Sequence, residues 1–241
     1  RDAQESRGLG DVYKRQCLIC GAPITYRAES SIQTCSICHK EQLTNAVCEN
    51  SHFICDACHS YGTYAPVIAA LRDSTEKDAL LLLEKIMDLP SVHMHGPEHH
   101  AIVPCVLLTA FRNNGEHMDY DAALSEICKR AKQVPGGTCG YWGVCGAAAG
   151  AGIFMSVMTG SSPLHKDAWP FPQKLVSIIL SRLADVGGPR CCKRTSRIAI
   201  EEAVHFYSQF CSVNIPLSSI TCKYCEDNRE CIQEDCPYYS E

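Results

Sequence analysis

Apolar residues recur at helical spacing through most of the chain after residue 60, and polar, cysteine-rich stretches separate these segments. Apolar positions at three- and four-residue intervals are typical of amphipathic helices. Pro90, the turn at residues 135–137 and the turn at residues 187–189 close three of the segments. The pattern predicts six helices, with a break or bend at Pro104 in the second: residues 79–87, 97–113, 122–133, 143–159, 173–186 and 195–211.

The chain before residue 60 has a different pattern, with cysteines at short intervals and few apolar runs. Thr25–Gln33 is rich in threonine, tyrosine and isoleucine, which predicts a short hairpin of paired strands. We therefore predict a mainly α-helical protein. A small zinc-ribbon or zinc-knuckle module with short β-structure, residues 17–60, precedes a Cys- and His-rich helical domain of about six helices, residues 61–241.

Residues 1–16 are polar and carry no periodic pattern. The segment 11–16 can be back-translated to a sequence that resembles the end of a transposase-based sequencing adapter. Non-native segments do not contribute to a fold. We therefore expect residues 1–16 to be a non-native or disordered tail, with an ordinary flexible tail as the alternative.

The composition helps to decide whether the eighteen cysteines form disulfides or bind metal. Disulfide frameworks are typical of small secreted chains that cannot build a core, whereas 46% of this chain is hydrophobic. We therefore expect reduced, metal-binding thiols and a cytoplasmic protein. The 22 basic and 27 acidic residues argue against general nucleic-acid binding, and no run of about 18 apolar residues predicts a membrane span.

The cysteines of the first module have the spacing of metal ligands. Two sulfurs separated by two residues can bind one ion, and structural zinc takes four such ligands. Eight candidates are present, enough for two Zn²⁺ ions: Cys17, Cys20, Cys35, Cys38, Cys48, His52, Cys55 and Cys58. The spacing leaves open whether the two ions are bound sequentially or in a cross-braced order. We do not expect His39 or His59 to be ligands.

A glycine-rich segment, residues 135–152, contains Cys139 and Cys145 at the start of the fourth predicted helix. Its small residues leave one helix face without bulk, so that another helix or an inorganic cluster can approach closely. Two cysteines at that face favour the cluster, because a helix N-terminus stabilises thiolates. Packing against another helix is the alternative.

Cys191 and Cys192 lie in a basic turn before the sixth predicted helix. Basic residues are unfavourable at a helix N-terminus, which suggests a compensating anion there. The tail adds Cys231 and Cys236, and we predict that these four cysteines, together with Cys139 and Cys145, bind a 4Fe–4S cluster. Cys222 and Cys225 form a further metal-binding pair, so a third zinc site is the competing interpretation. Three other cysteines lie among apolar residues and are predicted to be core thiols: Cys105, Cys128 and Cys211.

Four of the ten histidines fall within residues 92–100. We predict that His95, Glu98, His99 and His100 act as acid–base or substrate-binding groups, since imidazoles at a helix N-terminus favour the neutral form. The alternative is that they cap the helix or pack beneath the loop.

The combination of motifs resembles a known family. These motifs lie at residues 48–59, 94–100, 137–148, 190–193, 228–231 and 236–238. The chain is similar to Cys- and His-rich domain-of-unknown-function proteins of anaerobic bacteria and archaea, some of them encoded beside or fused to SAM-dependent methyltransferases. The resemblance implies no settled reaction, and the chain has no methyltransferase cofactor motif of its own.

Three functions remain open at this point. The preferred one is an Fe–S protein of anaerobes, acting as an oxidoreductase or a sulfur-handling enzyme with a small-molecule or redox partner, or with a methyltransferase. The second is a non-catalytic zinc protein that serves as an adaptor or regulator. The third is a hydrolase or transferase with a metal ion at the histidine cluster.

Overall fold

The computed structural model describes residues 17, 20, 22–36 and 39–239, with side chains omitted at Tyr26 and residues 56–63. The chain divides into two compact units between Thr63 and Tyr64. A two-stranded antiparallel sheet dominates the described part of the first unit, and helices dominate the second. The predicted fold class, mainly α with a small N-terminal β module, is confirmed.

The sheet of the first unit pairs β1 (Ile24–Thr34) with β2 (Glu41–Cys48). Ile24 lies opposite Cys48 and Thr34 opposite Glu41, with an irregular register between Tyr26 and Ser31. The stretch Thr25–Gln33 is therefore one strand and not the short hairpin that the sequence predicted. It contains no glycine, proline, asparagine or aspartate to form a tight turn, so the chain reverses only after Thr34.

Eight α-helices occur in the described chain, and none is long and apolar enough to cross a membrane. All six predicted helices are present, with ends displaced by up to four residues. α1 and the single turn α5 were not predicted. The helices are α1 (Asp56–Asp73), α2 (Ala79–Met87), α3 (His99–Asn113), α4 (Tyr120–Ala131), α5 (Thr138–Tyr141), α6 (Gly146–Thr159), α7 (Pro170–Val186) and α8 (Cys192–Tyr207).

Side chains fix the first residues of three of these helices. The Asp78 carboxylate accepts hydrogen bonds from the backbone N–H groups of Leu80 and Leu81, both at 2.9 Å, and so caps α2. Asp119 caps α4 in the same way. At α8 the cap is Cys191, whose sulfur accepts from the N–H of Arg194 at 3.4 Å. These bonds satisfy amide groups that have no partner inside the helix.

The core of the second unit is built around α3, which is buried from His99 to Phe111 and packs against α2, α4, α6 and α8. α3 continues through Pro104, so of the break or bend expected there the break does not occur. Proline cannot donate to the carbonyl four residues earlier, here that of His100. This carbonyl lies against Gly150 of α6, where a Cβ atom would be only 2.5 Å from the oxygen.

The small residues of α6 allow helices to approach it closely on two sides. A Cβ atom on Gly146 would lie 2.1 Å from the His100 ring, and one on Gly152 would lie 2.5 Å from Val176 of α7. The close neighbours of these glycines are therefore helices α3 and α7. The packing alternative raised by the sequence accounts for the glycines at these positions.

Replacing Gly150 with alanine is expected to destabilise the helical unit by about 1–3 kcal/mol, because the added methyl group forces α3 and α6 apart. The urea midpoint, followed by far-UV circular dichroism, measures this change. Gly136→Ala is the matched control, since a Cβ atom there meets open space. Equal midpoints for the two variants would show that the helices do not pack at this glycine.

Candidate metal centres

Four residues of the first unit bring their ligand atoms together. The thiols of Cys17, Cys20 and Cys48 and the imidazole of His52 all lie within 4.8 Å of one another. The Cys20 and Cys48 sulfurs are 3.5 Å apart, and His52 Nδ1 lies 3.3 Å from Cys20 and 3.7 Å from Cys17. A tetrahedral zinc ion with bonds of about 2.3 Å requires sulfurs about 3.8 Å apart. This Cys3His group can therefore hold a metal ion such as zinc.

The turn after β2 prepares this site. Cys48 ends the strand, its N–H donates to the carbonyl of His52, and Ser51 takes a left-handed conformation between them. The N–H of Asn50 donates to the Cys48 sulfur at 3.3 Å, and the Asn50 side chain donates to Cys20. The Asn50 hydrogen bond, followed by one from Ala22, lowers the pKa of Cys20 to about 6. The donors around Cys20 thus favour its thiolate, the form that binds metal, whereas burial raises the pKa of Cys48.

Two other predicted ligands of the module are also neighbours. Cys35 follows β1, and its sulfur accepts a hydrogen bond from the N–H of Cys55 at 3.4 Å. Both residues are buried around Phe53. The remaining two predicted ligands, Cys38 and the Cys58 side chain, lie outside the described residues. Because the first cysteine pair meets Cys48 and His52, the four left over are Cys35, Cys38, Cys55 and Cys58.

A different set of thiols lines one cavity in the helical unit. Cys191, at the start of α8, lines a narrow cavity together with four cysteines of the tail: Cys222, Cys225, Cys231 and Cys236. Arg194, Arg197 and Asn228 also line this cavity. The structure thus brings three of the six predicted cluster ligands together with Cys222 and Cys225, which the sequence analysis had treated as a separate metal-binding pair. We refer to this space as the tail cavity.

Two guanidinium groups beside the tail cavity are buried and incompletely hydrogen-bonded. Arg197 binds both carboxylate oxygens of Glu84, at 2.7 and 2.9 Å, but its Nη1 has no hydrogen-bond partner in the described chain. Arg194 donates through Nη2 to the carbonyls of Gly187 and Pro189, while its Nε has no hydrogen-bond partner in the described chain. Burial lowers the pKa of Arg197, but Glu84 and the Cys222 thiol raise it by more than burial lowers it. The guanidinium therefore stays charged.

The other three predicted cluster ligands do not line the tail cavity. Cys145 occupies the N-cap position of α6, and its neighbourhood includes the N–H groups of Ala148 and Ala147, the Thr195 hydroxyl and the Cys139 thiol. Burial nevertheless raises the pKa of Cys145, and it raises that of Cys192 to about 12. Electrostatic interactions with the Cys145 and Cys191 thiols also raise the pKa of Cys192. We refer to Cys139, Cys145 and Cys192 as the second thiol group.

The predicted histidine site is a buried hydrogen-bond network. Glu98 Oε1 accepts from the backbone N–H of His93 and lies 3.0 Å from His93 Nδ1. Burial opposes ionisation of Glu98, but His93 and the field of His99 outweigh it and lower its pKa to about 2. His99 lies 3.2 Å from Ser196 and 3.1 Å from the His93 carbonyl, and burial lowers its pKa to about 4. These contacts fasten the loop before α3 to α8.

His95 and His100 point to different surroundings. His100 Nδ1 lies 3.2 Å from the Val134 carbonyl, and its ring packs on α6. His95 Nε2 lies 3.1 Å from Asn228, a residue of the tail cavity, and 3.5 Å from Glu230. Within the described chain, no group of metal-ligating atoms as compact as the Cys3His group is found here or elsewhere.

Fold and site together define a mainly α-helical, cysteine-rich protein with a compact Cys3His group in a small β module. A family model described as a family of unknown function (DUF5714) matches residues 67–239, and the chain therefore belongs to that family. The matched range includes the tail cavity and the second thiol group but not the Cys3His group. A comparison with curated proteins found no match, and a comparison with solved structures found none.

Replacing Cys48 with serine is expected to remove one zinc ion per chain, because three ligands at this site bind far more weakly than four. Metal analysis of the purified protein by plasma mass spectrometry measures the loss. His39→Ala is the control, since His39 lies outside the group of four and should leave the zinc content unchanged. Unchanged zinc in Cys48→Ser would contradict the assignment.

Proposed function

We propose that this protein is a redox protein that holds a 4Fe–4S cluster in the tail cavity, with zinc stabilising the N-terminal module. One observation carries the proposal. Five thiols from two segments that lie far apart in the sequence line one cavity, beside two buried guanidinium groups with N–H bonds left to donate. A cubane cluster takes four thiolate ligands, so the cavity offers one more than is needed.

The spread of the thiols favours a cluster over a single ion. The Cys3His group, which could hold one ion, has all four ligand atoms within 4.8 Å of one another. The thiols of the tail cavity form no such group, although they border the same space. A four-iron cluster is wider than one ion and holds its thiolates further apart, so this spacing suits it better than a third zinc site.

Charge supports the same ligand. Four thiolates around a cluster with a 2+ core leave a net charge of about −2, which is costly to bury without compensation. Arg194 supplies a positive charge next to the cavity, whereas the charge of Arg197 is already paired with Glu84. The unpartnered Arg194 Nε and Arg197 Nη1 groups can donate N–H···S hydrogen bonds. Hydrogen bonds to the sulfurs are among the features that set the reduction potential of such a cluster.

When bound, a cluster here would supply one-electron transfer. The protein's own residues would hold it, neutralise it and restrict water, since Met94 and Tyr224 border the cavity. The second thiol group begins one residue away, because Cys192 follows Cys191. We propose its exposed member, Cys139, as the thiol that reacts with a small-molecule or sulfur substrate. Many reduced thiols without a disulfide among the described cysteines agree with a cytoplasmic protein.

The zinc module fits a structural role. Beyond the Cys3His site, we propose a second ion bound by Cys35, Cys38, Cys55 and Cys58, which gives a cross-braced order of ligands. The contact between Cys35 and Cys55 supports this pairing. Structural zinc sites are closed by four protein ligands and leave no position for substrate.

Cys191→Ser tests the cluster. Anaerobically purified wild-type protein is expected to be brown and to contain about four iron and four sulfide per chain. If Cys191 is a ligand, the serine variant should lose most of the visible absorption and acid-labile sulfide while keeping its zinc. Cys211→Ser is the matched control, because Cys211 does not line the tail cavity.

The metal content separates this proposal from its alternatives. Wild-type protein with a further zinc ion and no sulfide would establish a zinc site in the tail cavity and exclude the cluster. Equal iron and sulfide in both serine variants would show that the four tail cysteines suffice and that Cys191 is the surplus thiol. Iron that depends on His95 but not on any cavity cysteine would place the metal at the histidine segment instead.

A further inference from the structure

Two cysteines outside every proposed metal site are in direct contact. Cys105 lies in the middle of α3 and Cys128 near the end of α4, and their sulfurs are 3.8 Å apart. In the described part of the helical unit, no other two thiols make such a contact. The sequence predicted both as core thiols, and their proximity could not be foreseen, because 22 residues separate them.

The two thiols differ in environment. Cys105 is 1% exposed, whereas Cys128 is partly exposed at the surface of α4. The contact with Cys105, followed by the nearby charges of Lys132 and Arg72, lowers the pKa of Cys128. The same contact raises the pKa of Cys105. A partly exposed thiol with a lowered pKa thus lies against a buried one, as in the attacking and resolving thiols of exchange reactions.

We infer that Cys105 and Cys128 form a reversible disulfide by exchange with a small-molecule disulfide of the glutathione type. The Cys128 thiolate attacks one sulfur of that disulfide, forming a mixed disulfide and releasing one thiolate. The Cys105 thiol then loses its proton and attacks the Cys128 sulfur, which forms the internal bond and releases the second thiolate. The small disulfide is reduced by two electrons and the cysteine pair is oxidised by two.

The geometry permits this bond with small movements. A disulfide is about 2.05 Å long, so the two sulfurs must approach by less than 2 Å, within the reach of side-chain rotation. The bond would link α3 to α4, two helices that already pack against each other. Tyr120 at the start of α4 also contacts Thr109 of α3, at 2.8 Å, which keeps the helices in register. The inference is independent of any cluster in the tail cavity.

Peptide mapping tests the inference directly. Trypsin places Cys105 in residues 86–112 and Cys128 in residues 113–129, and each peptide contains a single cysteine. Full-length protein is reduced, desalted, exposed to oxidised glutathione under anaerobic conditions, alkylated and digested. Mass spectrometry should show the two peptides joined, with a mass two hydrogen atoms below their sum, and treatment with a phosphine should separate them.

Single variants test the order of the steps. Cys105→Ser removes the resolving thiol, so Cys128 should accumulate as the mixed disulfide with one glutathione. In Cys128→Ser, the buried Cys105 should remain unmodified, and in Cys211→Ser the cross-link should form as in wild type. Wild-type protein that remains folded by circular dichroism, with both cysteines alkylated and no joined peptide, would overturn the inference. Glutathione on Cys105 in place of Cys128 would overturn the assigned roles.

Discussion

The buried guanidinium of Arg197 connects three parts of the helical unit: α2, α8 and the tail. Its side chain is 0% exposed, and a bidentate ion pair with Glu84 joins α8 to α2. The rings of Tyr224 and Tyr238 lie 5.6 and 5.2 Å from the same group and attach the tail to α8. A buried charge destabilises a fold unless its partners satisfy it. The packing of α2, α8 and the tail therefore follows from keeping this charge compensated.

That arrangement also explains where the thiols lie. The tail has almost no regular structure, so polar anchors must hold it. Tyr238 donates to Glu201, Tyr224 donates to Asp88, and Lys223 pairs with the same aspartate. With both ends of the segment fastened, four tail cysteines face the start of α8. The same contacts that hold the tail against Arg197 thus also form the cavity in which we propose that the cluster binds.

Sequence patterns predicted the helices well, because α2, α3, α4, α6, α7 and α8 carry periodic apolar faces and end at glycine, proline or capping residues. They did not predict α1, which contains Gly62 and Pro66 and whose Val67 and Leu71 pack in the hydrophobic core. The spacing of the cysteines placed the four residues of the Cys3His group among eight candidate ligands but left open which of them meet. The division between the tail cavity and the second thiol group was not predicted. Cys191 and Cys192 are adjacent, but one caps α8 and the other begins it, and so their side chains diverge.

Anomalous diffraction from anaerobically grown crystals tests the central claim most directly, because it locates each metal. Data collected at the iron and zinc absorption edges should place several iron atoms in the space bordered by Cys191 and the tail cysteines. Zinc should appear at Cys17, Cys20, Cys48 and His52. A single zinc peak in the tail cavity, or iron located anywhere else in the helical unit, would contradict the account.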